Sequence, residues 1–229
     1  MSGPRPKPDA GAVTKGHVSG PSSPADEVVD LVSTLIRFDT SNTGDPATTK
    51  GEADCARWVA DQLAEVGYTT EYIEAGAPGR ANVFARLEGT DRSRGALMLH
   101  GHLDVVPAEA SDWSVHPFSG AVEDGYVWGR GAVDMKDMVG MMLAVARHFK
   151  RSGIVPPRDL VFAFVSDEEA GGKYGCKWLV EHRPDGRCPG SQAEGDEDRR
   201  DDEEDETTFD AVMTFSDREK LQQEIGRAS

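Results

Sequence analysis

Residues 96–108 of the chain read ALMLHGHLDVVPA, an apolar run that leads into two histidines and an aspartate. The first four residues are continuously apolar, which is typical of a strand that is covered on both faces. His100, His102 and Asp104 follow at intervals of two, so in an extended chain their side chains point in the same direction. Because open α/β sheets bind ligands at the carboxyl ends of their strands, this stretch predicts a buried strand that ends in a polar site.

Helical and extended patterns alternate on both sides of this strand. Apolar periodicity and capping signals favour helices at residues 24–36, 56–66, 136–151 and 173–182. Short β-rich runs are expected at residues 69–73, 82–87, 96–100, 126–128 and 160–165. The alternation predicts an α/β fold, with helices on both faces of a mixed, mostly parallel central sheet.

The charged residues are distributed unevenly along the chain. The net charge is −16, and residues 194–206 alone hold ten acids against two arginines. An acidic chain repels polyanions, which argues against nucleic acid and anionic membranes as partners. We expect residues 1–23, rich in Pro, Gly and Ser, to be a disordered leader and residues 189–229 to be a disordered acidic tail.

The cysteines and the apolar runs bear on the cellular compartment. Three cysteines without a C-x-x-C pair argue against a disulfide framework and against a thiolate zinc site. No apolar run approaches the roughly 18 residues that a membrane-spanning helix needs, and no signal-peptide pattern is present. These features predict a cytoplasmic protein.

Two further polar clusters follow predicted strands. In GRGAVDMK, residues 129–136, glycines permit a sharp turn that delivers Asp134 just before a helix. In SDEEAGG, residues 166–172, three acids repel one another unless a cation is bound.

Together, the three clusters offer one or two histidines, one aspartate and an acid pair. This set suits two zinc ions roughly 3.5–4 Å apart. Because neighbouring side chains in an extended chain point apart, one of Glu168 and Glu169 could bind metal while the other moves a proton.

These motifs resemble, in order and spacing, the family of zinc aminoacylases and carboxypeptidases. The resemblance is carried by LMLHGHLDVVPA at 97–108, WSVHPFSG at 113–120, DGYVWGRGAVDMKD at 124–137 and SDEEAGG at 166–172. The family includes acetylornithine deacetylase, succinyl-diaminopimelate desuccinylase and glutamate carboxypeptidase. The resemblance spans residues 26–184 and implies that residues 24–188 are the amino-terminal part of a zinc-exopeptidase-like catalytic domain.

The resemblance implies a role for each polar residue. His102 binds one zinc ion, Glu169 binds the other, and Asp134 bridges the two. Asp104 orients His102, and Glu168 is the general base that takes a proton from metal-activated water and returns it to the leaving amine. Family members often have a cis peptide bond directly after the bridging aspartate. Co²⁺ or Mn²⁺ would fit the same ligands as Zn²⁺.

The implied substrates are small acylated amino acids or short peptides, cleaved at a linear amide bond by a deacylase, dipeptidase or carboxypeptidase. No substrate-binding residue is assigned; Trp113, His116 and Phe118 are as well explained by loop packing.

The family pattern also includes a further acidic ligand, a lid domain through which dimers form, and a carboxyl-terminal histidine, which we do not recognise here. The alternative is therefore an inactive truncated fragment or pseudoenzyme that keeps a partial metal site and acts as a binding module.

Overall fold

The computed structural model describes residues 23–182. The helices are α1 Pro24–Arg37, α2 Ala53–Glu65, α3 Lys136–Arg151 and α4 Cys176–His182. The strands are β1 Thr70–Glu74, β2 Ala81–Leu87, β3 Leu97–His102, β4 Val122–Glu123, β5 Tyr126–Val127 and β6 Leu160–Val165. The predicted leader, apart from Ser23, and the predicted acidic tail lie outside the described residues.

The main sheet has four strands in the order β1-β2-β6-β3. The pairings β1–β2 and β2–β6 are antiparallel, and β3–β6 is parallel. The predicted α/β fold with a mixed sheet is confirmed, but within residues 23–182 the sheet is not mostly parallel. The reason is that β2 turns back beside β1 after a short loop and then also lies antiparallel to β6, whereas only β3 and β6 are joined by a crossover that contains α3.

Helices lie on both faces of the sheet, as predicted. All six residues of β6 are buried, which explains its uninterrupted apolar sequence. Phe162 and Phe164 face the larger core, which also contains residues of α1, α2 and α3. Val161 and Ala163 face the opposite side of the sheet, where Leu179 of α4 packs against them. Alternate residues of one strand therefore serve two separate cores.

Helix α1 begins where the sequence predicts. The Ser23 hydroxyl accepts the Ala25 N–H at 3.1 Å, and the Asp26 carboxylate accepts the Ser23 N–H at 2.8 Å. Pro24 occupies the first turn, where its missing N–H needs no partner. These contacts satisfy backbone donors that the first turn leaves free and fix the start of the helix.

The end of α1 is tied to the beginning of α3. The Lys136 side chain is fully buried, and its Nζ donates to the carbonyl oxygens of Leu35 at 2.9 Å and Phe38 at 2.6 Å. One turn further along α3, a Cβ on Gly140 would lie 2.4 Å from Val32 Cγ2. The absence of a side chain at Gly140 therefore lets the two helices pack closely, and Lys136 holds the segment before α3 in place.

Several element boundaries differ from the sequence prediction by up to three residues; α2, for example, begins at Ala53 instead of residue 56. The strand expected at residues 126–128 is one arm of the small β4–β5 hairpin, which is separate from the main sheet. Helix α4 begins at Cys176 instead of residue 173. Gly171 and Gly172, with φ angles of 95° and 71°, belong to the turn that precedes it. None of the helices between residues 23 and 182 has the length and apolar character needed to cross a bilayer.

Candidate metal centre

The polar clusters meet at the edge of the sheet where β3 and β6 end. His102 is the last residue of β3 and lies beside Val165, the last residue of β6. Because the two strands are parallel, the turn after β6 brings Glu168 and Glu169 next to His102. Asp134 reaches the same edge from the segment that precedes α3.

Three of the predicted metal ligands lie together. One ligand atom each from His102, Asp134 and Glu169 falls within 4.8 Å of the others. His102 Nε2 lies 3.3 Å from Asp134 Oδ1 and 3.8 Å from Glu168 Oε2. The His102 side chain is buried, whereas those of Asp134 and Glu168 are 66% and 52% exposed. The cluster is therefore open to solvent on its carboxylate side.

The charges of this cluster suit a divalent cation. Burial is the main cause that raises the pKa of the Glu169 carboxyl; the His102 imidazole opposes it, and the neighbouring carboxylates add to it. Within residues 23–182, the only basic side chain in an ion pair with Asp134 or Glu168 is His102. An imidazole grouped with carboxylates that lack a lysine or arginine partner is a donor set for Zn²⁺, Co²⁺ or Mn²⁺.

Asp104 contacts both His102 and the acid pair. His102 Nδ1 lies 2.9 Å from the main-chain oxygen of Asp104 and 3.6 Å from its carboxylate. The main-chain carbonyl is therefore the closer acceptor for the imidazole N–H, which leaves Nε2 facing Asp134 and Glu168. The Asp104 carboxylate instead accepts the backbone N–H groups of Glu168 and Glu169, both at 3.0 Å. Its side chain fixes the turn that presents the acid pair.

The structure distinguishes His102 from His100, which the side-chain periodicity alone does not exclude as a ligand. His102 is in the three-residue cluster, and His100 is not. His100 lies two residues earlier on β3, about 6–7 Å further from the end of the strand. Burial lowers the pKa of His100, and the nearby His102 lowers it further.

Asp134 lies in the glycine-rich segment that the sequence singled out. The peptide bond between Asp134 and Met135 is cis, as the family resemblance implies. At Gly131, where φ is 81°, a Cβ would lie 2.7 Å from Val105 Cγ1. The Gly131 carbonyl accepts the Lys136 N–H at 2.8 Å, which closes the turn before α3. Glycine is needed here for both its φ angle and its small size.

A buried polar network lies behind the acid pair, and apart from Asp167 its residues are not singled out by any motif in the sequence. The network contains Asn42, Glu52, Arg80 and Asp167, all of which are buried. It contacts the cluster through Asn42 Nδ2, which donates to Asp104 Oδ2 at 2.8 Å. The loop and turn positions of these residues read as solvent-exposed, and no local pattern indicates that they pack together.

Other candidate positions have local contacts. The Arg130 guanidinium lies over the Trp113 ring at 5.4 Å, and His116 Nδ1 accepts the Phe118 N–H at 3.2 Å. These contacts support loop packing for residues 113–118. Cys55 and Cys176 are free thiols, and Cys188 lies outside the described residues.

Comparison with known sequences identifies one family. Residues 98–215, more than half of the chain, match the pattern of Peptidase family M20/M25/M40. The chain is 38% identical over 141 residues to a succinyl-diaminopimelate desuccinylase from Methylorubrum populi, a match that covers 59% of this chain and 36% of that protein. It is 41% identical over 140 residues to the enzyme of the same name from Xanthobacter autotrophicus, with the same coverage. The matched part is thus about a third of the length of these curated relatives.

Comparison with solved structures supports the same fold. Human carnosine dipeptidase 1 is 27% identical, with a TM-score of 0.59 over 70% of this chain and 36% of that one. A metallo-carboxypeptidase of family M20 from Sulfolobus solfataricus is 20% identical, with a TM-score of 0.54 over 70% of this chain and 35% of that one. The second comparison bears on the fold alone.

Proposed function

From the membership of this chain in Peptidase family M20/M25/M40, we propose that it is a metal-dependent hydrolase of linear amide bonds. The observation that carries the proposal is the grouping of His102, Asp134 and Glu169 at the carboxyl ends of two parallel strands. These residues come from three separate segments of the chain, and all three are types that bind zinc.

We assign the metal ligands from this grouping. His102 offers Nε2, because its Nδ1 lies next to the Asp104 carbonyl. Glu169 and Asp134 offer carboxylate oxygens, and Asp134 is the carboxylate that we assign to be shared if two ions bind. Zinc is the proposed metal, with cobalt or manganese as substitutes. When bound, zinc would lower the pKa of a water ligand and polarise the amide carbonyl.

We assign the proton transfer to Glu168. Its side chain is half-exposed on the open side of the cluster, and its Oε2 lies 3.8 Å from His102 Nε2. Its backbone N–H donates to Asp104 Oδ1, and this bond fixes the main chain from which the Glu168 side chain extends. Glu168 takes the proton from the attacking water and delivers it to the leaving nitrogen, as a general base that then acts as an acid.

The substrate class follows from the relatives. A desuccinylase and a dipeptidase are among them, and both names denote cleavage of an amide next to an amino acid. We propose N-acyl amino acids or short peptides as substrates, with deacylase, dipeptidase and carboxypeptidase activities as the candidates. The free thiols are consistent with the cytoplasm as the compartment.

The test combines metal content with hydrolysis by the full chain. Purified protein is analysed for zinc by mass spectrometry and assayed on a panel of N-succinyl and N-acetyl amino acids and dipeptides. We expect bound zinc and turnover, and we expect Glu168→Gln to keep the metal but to lose at least about 100-fold in kcat, because proton transfer contributes that much. Glu123→Gln, at an exposed position of the β4–β5 hairpin, is the matched control and should behave as wild type.

Other outcomes have distinct meanings. Bound metal without Glu168-dependent turnover would favour the alternative, an inactive binding module. Absence of both metal and turnover would contradict the proposed function.

A further inference from the structure

The turn that carries Glu168 and Glu169 is supported from behind by a buried carboxylate. Asp104 is fully buried, and its two carboxylate oxygens accept the N–H groups of Glu168 and Glu169. Asp167, the residue before them, has a φ of 63°, a left-handed conformation that is uncommon for residues other than glycine. The position of the acid pair thus depends on the groups that hold Asp104 and Asp167.

Asn42 holds both of these aspartates. Its Nδ2 donates to Asp104 Oδ2 at 2.8 Å and to Asp167 Oδ1 at 2.9 Å. On its other side, Asn42 Oδ1 accepts the Gly44 N–H at 3.1 Å and Arg80 Nη2 at 3.1 Å. The orientation of the amide is therefore determined, because its nitrogen faces only acceptors and its oxygen faces only donors. Asn42 links the end of β3 to the turn after β6.

Arg80 supplies the positive charge of this network. It forms an ion pair with Asp167 at 3.2 Å and a second ion pair with Glu52, and all three side chains are nearly inaccessible to solvent. Buried carboxylates are costly unless they are paired and hydrogen-bonded, and Arg80 is the partner that the Asp167 and Glu52 side chains share. A side chain that cannot contact both carboxylates would leave one of them without its partner next to the acid pair.

We propose that Asn42 and Arg80 are positioning residues of the metal centre, which hold Asp104 and the Glu168–Glu169 turn in the geometry that binds metal. This inference rests on the proposed metal-binding function. Neither residue belongs to the cluster of possible ligands, so both act through Asp104 and Asp167. Outer groups of this kind typically change metal affinity by about 10–100-fold when they are replaced.

The first test does not depend on metal. Site-resolved amide exchange by NMR is measured on the metal-free full chain for wild type, Asn42→Ala and Arg80→Lys. We expect the N–H groups of Glu168 and Glu169 to exchange at least about tenfold faster in both variants, with little change in β2 and β6, because the lost contacts are local.

A matched control uses the same substitution on the same part of the chain. Arg86 of β2 donates to Asp159 at 2.8 Å and takes no part in the network, so Arg86→Lys should leave the exchange of Glu168 and Glu169 unchanged. Unchanged exchange in both Asn42→Ala and Arg80→Lys would overturn the proposal. A uniform increase throughout the chain would also overturn it, because that result describes general destabilisation.

The second test measures metal binding. We expect zinc affinity to fall by about 10–100-fold in Asn42→Ala and Arg80→Lys, and the absorption spectrum of the Co²⁺-substituted protein to change, while Arg86→Lys matches wild type. Wild-type affinity and spectrum in both network variants would overturn the positioning role. Failure of wild type itself to bind zinc or cobalt would instead overturn the proposed function, and the exchange experiment would then report on the turn alone.

Discussion

Glu52 is a carboxyl group in an unusual environment. Its side chain is fully buried at the start of α2, and its Oε2 has no hydrogen-bond partner among the described residues. Burial is the main cause that raises its pKa to about 7, and the negative charge of Asp104 adds to this effect, whereas Arg80 opposes it. The folded protein therefore favours the protonated form of Glu52 more than the unfolded chain does.

This shift makes stability depend on pH. Because the folded-state pKa is raised from 4.5 to about 7, the stabilisation is complete below pH 4.5 and is lost as the pH rises through about 7. We expect the free energy of unfolding of wild type to fall by about 3 kcal/mol over this window relative to Glu52→Gln, in which the side chain stays neutral. Urea unfolding at a series of pH values from 4.5 to 8 measures the difference.

The control for this prediction is a solvent-exposed glutamate. Glu88, which is 61% exposed in its pair with Arg92, should leave the pH dependence unchanged when replaced by glutamine. Parallel pH profiles for wild type and Glu52→Gln would show that the buried carboxyl does not titrate in this range.

At the scale of elements, the close contact between α1 and α3 restricts the size of the side chains that each helix can have there. Val32 of α1 lies over Gly140 of α3, and Lys136 bonds the carbonyl groups at the end of α1. Helix α3 begins at Lys136, two residues after Asp134. Packing between two helices thus determines where one of the proposed metal ligands lies.

Gly140→Ala tests this packing. Alanine is the better helix former by about 1 kcal/mol, but its Cβ would lie 2.4 Å from Val32 Cγ2. We expect the clash to dominate and the free energy of unfolding to fall by about 1–3 kcal/mol, as for other overpacked cores. Chemical denaturation measures the change.

A second substitution distinguishes the clash from other effects. Val32→Ala removes the methyl groups that Gly140→Ala would contact, so the double variant should be more stable than the sum of the two single changes predicts. Strict additivity would contradict the expected clash between the methyl group of Gly140→Ala and the Val32 side chain.

At the scale of the whole molecule, the candidate metal centre joins three distant parts of the chain. His102 ends β3, Asp134 precedes α3, and Glu169 follows β6. An unfolded chain does not bring these residues together, so a metal ion that binds all three favours the folded state.

Zinc should therefore stabilise the protein against heat. At a free zinc concentration about 100 times the Kd, binding contributes about 2.7 kcal/mol, which corresponds to a rise in Tm of about 5–10 °C for a domain of this size. Differential scanning calorimetry with and without zinc measures the rise. His102→Ala should abolish it, and His182→Ala, at an exposed position of α4, should not. An equal rise in the His102→Ala variant would place the bound zinc elsewhere.

Much of this arrangement could be predicted from local sequence. The capping residues Ser23 and Asp26 mark the start of α1, and the apolar run of β6 indicates a strand buried on both faces. His102 and Asp134 stand out because each follows a recognisable strand or glycine turn. The predictions for α1 and β6 are confirmed, because capping and side-chain alternation depend on residues close together in the chain.

Other features could not be predicted in this way. The sheet is mainly antiparallel among the described strands, because β2 pairs with both β1 and β6. The link from Asn42 to Asp104 and Asp167 spans 62 and 125 residues of sequence. Nothing within the polar loop around Asn42 distinguishes a buried amide from an exposed one.

The sequence by itself determined the α/β character of the chain and the residue types of a metal site. Only the tertiary structure decided that the Asp104 carboxylate holds the Glu168–Glu169 turn, and that Asn42 joins Asp104 to Asp167. The physical reason is that strand direction and buried hydrogen bonds depend on groups that are distant in sequence and meet only when the chain is folded.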